Sequence, residues 1–240
     1  MGHGRHSNAS TLIELCGLGC FGPGSLQLQL RRAYVDCKKF AKDRGFAFAE
    51  PCFTPDRLAA TGSRYADMGN SKAHNSRVII AYCAHQAVRY QHLDELGQVR
   101  AATCWGLAYF CDRLGRAGRW LSDDDIEAMR LGGRTYLDGY AWLARYSVDA
   151  QTLRWVWNPK HHQFEHLLDE IMQDRLNPRY YWNYADEDLV GRVATTAKNC
   201  HPWTMCLRRL QRWMIGLGLQ WADRGSVPFG LPPWQARVRA

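Results

Sequence analysis

Apolar side chains recur at steps of three and four residues along much of the chain, and this spacing constrains the fold more than any other feature. In one such segment, residues 25–44, the apolar positions are Leu26, Leu30, Tyr34, Cys37 and Phe40. Side chains at this spacing share one face of an α-helix, and a glycine commonly ends such a helix. The segment therefore predicts a helix that Gly45 closes.

The same periodicity predicts further helices at residues 74–96, 99–117, 122–147, 160–175, 187–200 and 202–221. The helix at 122–147 has the clearest beginning, because Ser122 can cap it and the three aspartates that follow oppose the positive end of its dipole. Its predicted buried stripe is Ile126, Met129, Gly133, Tyr136, Leu137, Tyr140 and Leu143. We therefore expect a mainly α protein, a multi-helix, bundle-like globular fold with an irregular N-terminal lead-in and little or no sheet.

Composition divides the chain into three parts. Residues 1–24 are rich in Gly, Ser and His and predict a flexible N-terminal segment around one apolar patch. Residues 25–224 are the predicted helical domain, which could divide again near residues 150–160. Residues 225–240 are a Pro- and Arg-containing tail that we expect to wrap over the surface or to fray.

The overall composition excludes several classes of protein. With 46% hydrophobic and 12% aromatic residues, the chain is neither disordered nor collagen-like. No run of apolar residues is long enough for a membrane-spanning helix, so no membrane partner is expected. Nine cysteines without zinc-module spacing predict free thiols and an intracellular location, nuclear or cytoplasmic rather than secreted. The net charge of +8 favours a polyanionic partner.

A histidine-rich helix begins near Pro159 and carries a candidate metal site. His162 and His166 are one helical turn apart, so both imidazoles can converge on one metal ion. Asp169 is on the same face and could supply an oxygen ligand to a divalent metal. The alternative is that both histidines simply flank the apolar core. Because no third ligand occurs at standard spacing, we expect no tight binding of a transition metal.

Two features of the last 60 residues carry charge. Asp186, Glu187 and Asp188 could offer carboxylates to Mg²⁺, or they could serve only to oppose a helix dipole. In the helix at 202–221, an apolar seam is predicted to be buried, with the residues Trp203, Leu207, Leu210, Met214, Leu217 and Trp221. The opposite side carries the cations Arg208, Arg209 and Arg212, which either neutralise phosphates or form a solvated face.

The order of these motifs resembles a known group of proteins. The motifs are Pro159-Lys160-x-His162-x-Phe164-x-His166-Leu167, Asn177-Pro178-Arg179, Asp186-Glu187-Asp188-x-x-Gly191-Arg192 and His201-Pro202. Over residues 28–218 the chain resembles a large, multicopy group of proteins encoded in dinoflagellate genomes. The histidine helix and the acidic turn also resemble the C-terminal end of CACTA-type and related DDE transposases. That resemblance implies that Glu187 matches the last catalytic carboxylate, whereas the earlier aspartates and their RNase H-like sheet have no counterpart.

Three hypotheses of function follow. The first is a mobile-element-derived helical module, non-catalytic on its own, that binds DNA or RNA through a basic surface of Lys160, Arg208, Arg209 and Arg212. The second is a metal-dependent hydrolase or metal-binding protein that uses His162 and His166 with Asp169 or Glu187. The third is a helical scaffold for protein interactions. The sequence leaves enzymatic activity open.

Overall fold

A computed structural model describes residues 3–69 and 71–180, together with Gln211, Met214 and Ile215. The chain divides into two compact units, residues 1–181 and 182–240. Nearly all of the described residues belong to the first unit, and the following paragraphs concern that unit unless they say otherwise.

The described part of the first unit is built from α-helices. They are α1 (His3–Gly17), α2 (Leu26–Asp43), α3 (Ala73–Arg89), α4 (Gly97–Arg116), α5 (Asp123–Asp149) and α6 (Pro159–Asp174), followed by a 3-10 turn at Pro178–Tyr180. Among the described residues there is no sheet, only an isolated antiparallel bridge between Trp120 and Leu176. The mainly α fold predicted from the apolar spacing is confirmed.

The N-terminal segment differs from the sequence prediction of a flexible, irregular lead-in. Residues 3–17 form α1, which is buried by contacts with α2, α3 and α4. Its polar residues are buried because they have partners: Asn8 Nδ2 donates to the carbonyl of Ser76 at 3.2 Å. Ser10 Oγ accepts from the backbone amide of Trp155 at 3.0 Å. Since α1 is covered all round, it lacks the one-sided apolar stripe by which an amphipathic helix is recognised.

The beginning of α5 follows the capping chemistry of its sequence. Ser122 Oγ accepts from the amide of Asp125 at 3.1 Å, and a carboxylate oxygen of Asp125 accepts from the amide of Ser122 at 3.2 Å. This reciprocal pair is a capping box that fixes the first turn of α5. The predicted stripe of α5 is buried from Met129 to Leu143, whereas Ile126 is only partly buried.

Helices α4 and α5 cross at unusually short distance because glycines face each other. A Cβ placed on Gly106 would lie 2.6 Å from the carbonyl oxygen of Gly132. A Cβ placed on Gly132 would lie 2.8 Å from the carbonyl oxygen of Gly106. Backbone therefore packs on backbone at this crossing, and no larger residue fits at either position.

The buried Glu50 and the partly buried Glu14 connect loops to helices through hydrogen bonds. Glu50, in the irregular connection between α2 and α3, accepts hydrogen bonds from Arg57 at 2.6 Å and from Asn75 at 3.0 Å. Glu14 of α1 accepts from the indole nitrogen of Trp155 and, at 3.1 Å, from the buried Arg100 of α4. These bonds satisfy side chains that would otherwise be buried without partners.

The predicted helices at 187–200 and 202–221 lie almost entirely outside the described residues. Gln211, Met214 and Ile215 are described and are helical. Met214 is 61% exposed, so the predicted burial of the seam is wrong at this position. Apolar spacing identifies residues that share a helix face, but it does not establish that another element covers that face.

Candidate functional site

The most basic described surface lies on α2. The helix contains two acids and five cations, the cations being Arg31, Arg32, Lys38, Lys39 and Lys42. All five cations are exposed. At 3.6 residues per turn they fall within an arc of about 120° of the helix surface. The buried residues Leu30, Ala33, Cys37, Phe40 and Ala41 lie opposite this arc. We call these five cations the α2 basic face.

The α2 basic face gathers on one helix five of the described cations that have no acidic partner. Within the described residues, none of the five makes an ion pair. Elsewhere in the first unit the arginines that pair with carboxylates are Arg5, Arg57, Arg100, Arg113, Arg116, Arg130, Arg134 and Arg175. Other described cations without an ion pair are scattered over the surface, and no other described helix carries more than two of them.

The two acids of α2 lie together at one edge of the cationic arc. Asp36 lies at the edge of the arc, where one of its carboxylate oxygens accepts from Tyr82 Oη at 3.0 Å and from Gln86 Nε2 at 2.7 Å. Both donors belong to α3, so the carboxylate is directed toward that helix. Asp43, at the end of α2, is at the same edge by helical spacing.

A shallow groove runs along the α2 basic face. Its volume is about 380 Å³, and its lining residues are Leu28, Arg31, Arg32, Val35, Asp36 and Lys39. Leu28 and Val35 are exposed apolar residues in the middle of the cationic arc. Arg32 is held at the rim because it donates to the carbonyls of Phe21 and Pro23, at 3.3 and 2.7 Å.

A second group of arginines lies where the end of α2 meets α3. The guanidinium of Arg44 stacks on the ring of Phe40 at 3.8 Å, and that ring is 5.5 Å from the imidazole of His85. The pKa of His85 is lowered by burial and then by the nearby charges of Arg44 and Arg89. The two arginines therefore act on the same small area of surface.

The α2 basic face is not among the residues predicted from the sequence, although the sequence contains a signal for it. The apolar positions of residues 25–44 define the buried side of the helix, and the cations between them follow the same spacing on the opposite side. A helix whose buried stripe is known also has a known outer face, and the cations of that face can be counted directly.

Of the four nucleic-acid-binding residues predicted from the sequence, only Lys160 lies within the described residues. Lys160 is exposed at the beginning of α6, where its amide donates to Asn158 Oδ1 at 3.0 Å. Helix α6 packs against α5, whereas α2 packs against α1 and α3. Arg208, Arg209 and Arg212 lie outside the described residues, so a basic surface at these three positions stays a prediction.

The predicted metal ligands are brought together only in part. His162 and His166 are both exposed, and their Nε2 atoms are 3.0 Å apart. The third predicted ligand, Asp169, instead faces Arg134 of α5, whose guanidinium is 3.4 Å from its carboxylate. The described residues contain no group of three or more histidines, cysteines or acids that could hold a metal ion. Glu187, the predicted catalytic carboxylate, lies outside them.

The buried histidine of α6 is His161, which the sequence analysis did not single out. Its ring stacks on Trp157 at 4.6 Å and lies 4.3 Å from the ring of Tyr140. Burial lowers its pKa to about 4, although its contact with the carbonyl of Asn158 acts in the opposite direction. His161 is therefore neutral near pH 7 and serves the packing between α6, α5 and the preceding loop.

Exposed aromatic pairs occupy another part of the surface. Trp105 stacks on Tyr109 along α4, with ring centroids 4.8 Å apart, and Trp142 stacks on Tyr146 along α5 at 5.7 Å. Both tryptophans are exposed. These pairs are the feature that the scaffold hypothesis would use, and nothing in the described structure identifies a partner for them.

No helix among the described residues is both long and apolar enough to cross a membrane. Comparison of the chain with protein-family models, with curated proteins and with solved structures found no match. The observations that bear on function are therefore those of the chain itself, chiefly the α2 basic face and the pair of histidines on α6.

Proposed function

We propose that this protein binds nucleic acid, DNA or RNA, through the α2 basic face and is not catalytic on its own. The observation that carries the proposal is the concentration of five exposed cations on one helix without an ion pair among the described residues. The motif resemblance to mobile-element proteins favours the same class of partner, and we include a mobile-element origin in the proposal.

The dimensions of the α2 basic face fit a phosphate backbone. From Arg31 to Lys42 the helix rises about 17 Å at 1.5 Å per residue. One strand of a duplex carries a charge every 3.4 Å of axis, so this length matches about five phosphates. Lysine and arginine at this density release condensed counterions on binding, which favours association without sequence preference.

The direct test is a salt titration of binding to a labelled 20-nucleotide single strand and to the matching duplex. The test variant combines Arg31→Gln, Lys39→Gln and Lys42→Gln. The matched control combines Arg116→Gln, Arg130→Gln and Arg145→Gln on α4 and α5, with the same loss of three charges. Glutamine has a helix propensity close to those of lysine and arginine, so both variants should fold. The control also breaks two exposed ion pairs, which contribute little to stability.

Each lost phosphate contact should reduce the slope of log K against log salt by about 0.7–0.9. We therefore expect the α2 variant to lose about 2–3 from the slope and the control to keep the wild-type slope. Equal slopes for the two variants, or no binding by the wild type at low salt, would contradict the proposal. A third variant, Arg208→Gln, Arg209→Gln and Arg212→Gln, tests the surface predicted from the sequence. If the slope of log K against log salt fell only in that third variant, the nucleic-acid interface would lie at those arginines and not on α2.

A further inference from the structure

The exposed histidines of α6 have a geometry that the proposed nucleic-acid interface does not use. His162 and His166 are one turn apart, with ring centroids 4.2 Å apart and Nε2 atoms at 3.0 Å. Both side chains are exposed, and the apolar side of α6, with Phe164, Leu168 and Ile171, is buried. The two imidazoles therefore converge without being forced together by the core.

This separation is the one that a shared metal ion requires. Two nitrogen ligands at 2.0–2.1 Å from a metal lie about 2.9 Å apart at a right angle and about 3.4 Å apart at a tetrahedral angle. The observed 3.0 Å lies inside this range. Without a metal, the same contact is a single hydrogen bond in which one Nε2–H donates to the other Nε2.

The Nδ1 nitrogen of His162 lies near a carboxylate, as the second ring nitrogen of a metal-binding histidine commonly does. Its Nδ1 atom is 3.8 Å from a carboxylate oxygen of Glu165. The carboxylate is held by Arg134 at 2.7 Å, and this hydrogen bond is the main reason why the pKa of Glu165 is lowered. A carboxylate on this side favours the tautomer with a proton on Nδ1, which leaves the Nε2 lone pair directed at His166.

We propose that His162 and His166 form a two-imidazole chelate for one divalent ion of the zinc class. Neutral imidazole is a preferred ligand of zinc, nickel and copper ions, and Glu165 is a positioning residue that acts through His162. Because the described residues supply no third ligand, water completes the coordination and the ion is exchangeable. This site differs from the three-residue site predicted from the sequence, since Asp169 takes no part in it.

The test is calorimetric titration of the full chain with zinc chloride. The variants His162→Asn and His166→Asn each remove one ligand from the exposed face, and His92→Asn removes an exposed histidine from another part of the surface as the matched control. We expect each ligand variant to lose one zinc site or to weaken it at least tenfold, while the control keeps the wild-type isotherm. Unchanged binding in both ligand variants would overturn the chelate and leave the hydrogen-bond interpretation.

Two further variants separate the roles of the carboxylates. Both Glu165→Gln and Asp169→Asn remove a partner of Arg134, but only Glu165 faces a ring nitrogen of the pair. Glu165→Gln should weaken zinc binding up to about tenfold, at the low end of the effect of such a neighbour. Asp169→Asn should leave zinc affinity within about twofold. A loss in Asp169→Asn as large as in His166→Asn would overturn the two-imidazole site in favour of one with three protein ligands.

Discussion

His161 and His162 are neighbours in the sequence, yet His161 is 1% exposed and the side chain of His162 is 68% exposed. The difference follows from position on the helix, because His161 precedes the buried Phe164 by three residues and shares its face. The sequence was sufficient to predict that His162 and His166 share a face. It was not sufficient to predict that Asp169 faces Arg134, since that contact depends on where α5 lies.

The buried His161 should make stability dependent on pH. Its pKa is lowered to about 4 in the folded protein, against about 6.5 in the unfolded chain. Between these values the unfolded chain binds more protons, so the free energy of unfolding must fall as the pH is lowered from 6.5 to 4. At 1.36 kcal/mol for each pH unit, the loss is up to about 3 kcal/mol.

Urea unfolding of the wild type and of His161→Gln at several pH values between 4 and 7.5 measures this effect. The variant should be less stable at pH 7, because it loses the ring contacts, but its stability should change less with pH. The exposed His92 provides the control variant His92→Gln, which should keep the wild-type dependence. Parallel pH profiles for the wild type and His161→Gln would contradict the assignment.

The described cysteines should differ sharply in reactivity. Burial raises the pKa of Cys16 and Cys37 to about 12 and that of Cys104 and Cys111 to about 11, so their thiols are protonated and covered. Cys52 is only partly buried. Brief treatment of the native protein with iodoacetamide at pH 8, followed by peptide mass spectrometry, should modify Cys52 before the other cysteines of the described residues. Labelling of Cys37 or Cys104 at the same rate would show that the first unit opens more readily than its packing implies.

At the scale of helices, local spacing in the sequence predicts where each helix lies along the chain. It does not predict which helices contact each other. The periodicity of apolar residues predicted α2 through α6 to within a few residues at most ends, and Ser122 was recognised as a cap. The crossing of α4 and α5 could not be foreseen, because Gly106 and Gly132 are ordinary helix-weakening residues when each is considered alone. Each glycine permits the close crossing only because the other lies opposite it.

The glycine crossing predicts an unusual response to alanine. Alanine normally stabilises a helix relative to glycine by about 1 kcal/mol. In Gly106→Ala, however, the new methyl group would meet backbone atoms of α5, so the helices must separate and the free energy of unfolding should fall by about 1–3 kcal/mol.

The control for the glycine crossing is Gly17→Ala at the end of α1, where a methyl group meets nothing within 4 Å. Its urea midpoint should equal or exceed that of the wild type. A midpoint for Gly106→Ala that matches the control would mean that the two helices can part at little cost.

At the scale of the whole molecule, α1 is the main difference between expectation and structure. Its sequence contains Gly, His, Ser and Asn, which are typical of a flexible segment, and the apolar residues are too few to form a stripe. Ala9, Leu12 and Leu15 are nevertheless fully buried, because α2, α3, α4 and the loop before α6 surround the helix. The burial of α1 depends on elements that are distant in the sequence. The local sequence pattern of α1 therefore cannot predict it.

A chain that begins at Ser25 should therefore fail to fold, although the sequence alone would suggest that it lacks only a flexible segment. Removal of α1 exposes the core that it covers and leaves Arg100 without Glu14. Urea unfolding followed by circular dichroism should show no cooperative transition for the shortened chain. A transition with the wild-type midpoint would mean that α1 adds nothing to the first unit.

The position of α1 also has a consequence for synthesis on the ribosome. This helix leaves the ribosome before the elements that cover it, and Trp155, which donates to Ser10 and Glu14, follows 145 and 141 residues later. At about 5–20 residues per second, the ribosome needs roughly 7–30 s to make the intervening chain. During this interval the apolar side chains of α1 have no lasting cover, so the nascent chain presents a binding site for chaperones until the loop before α6 has emerged.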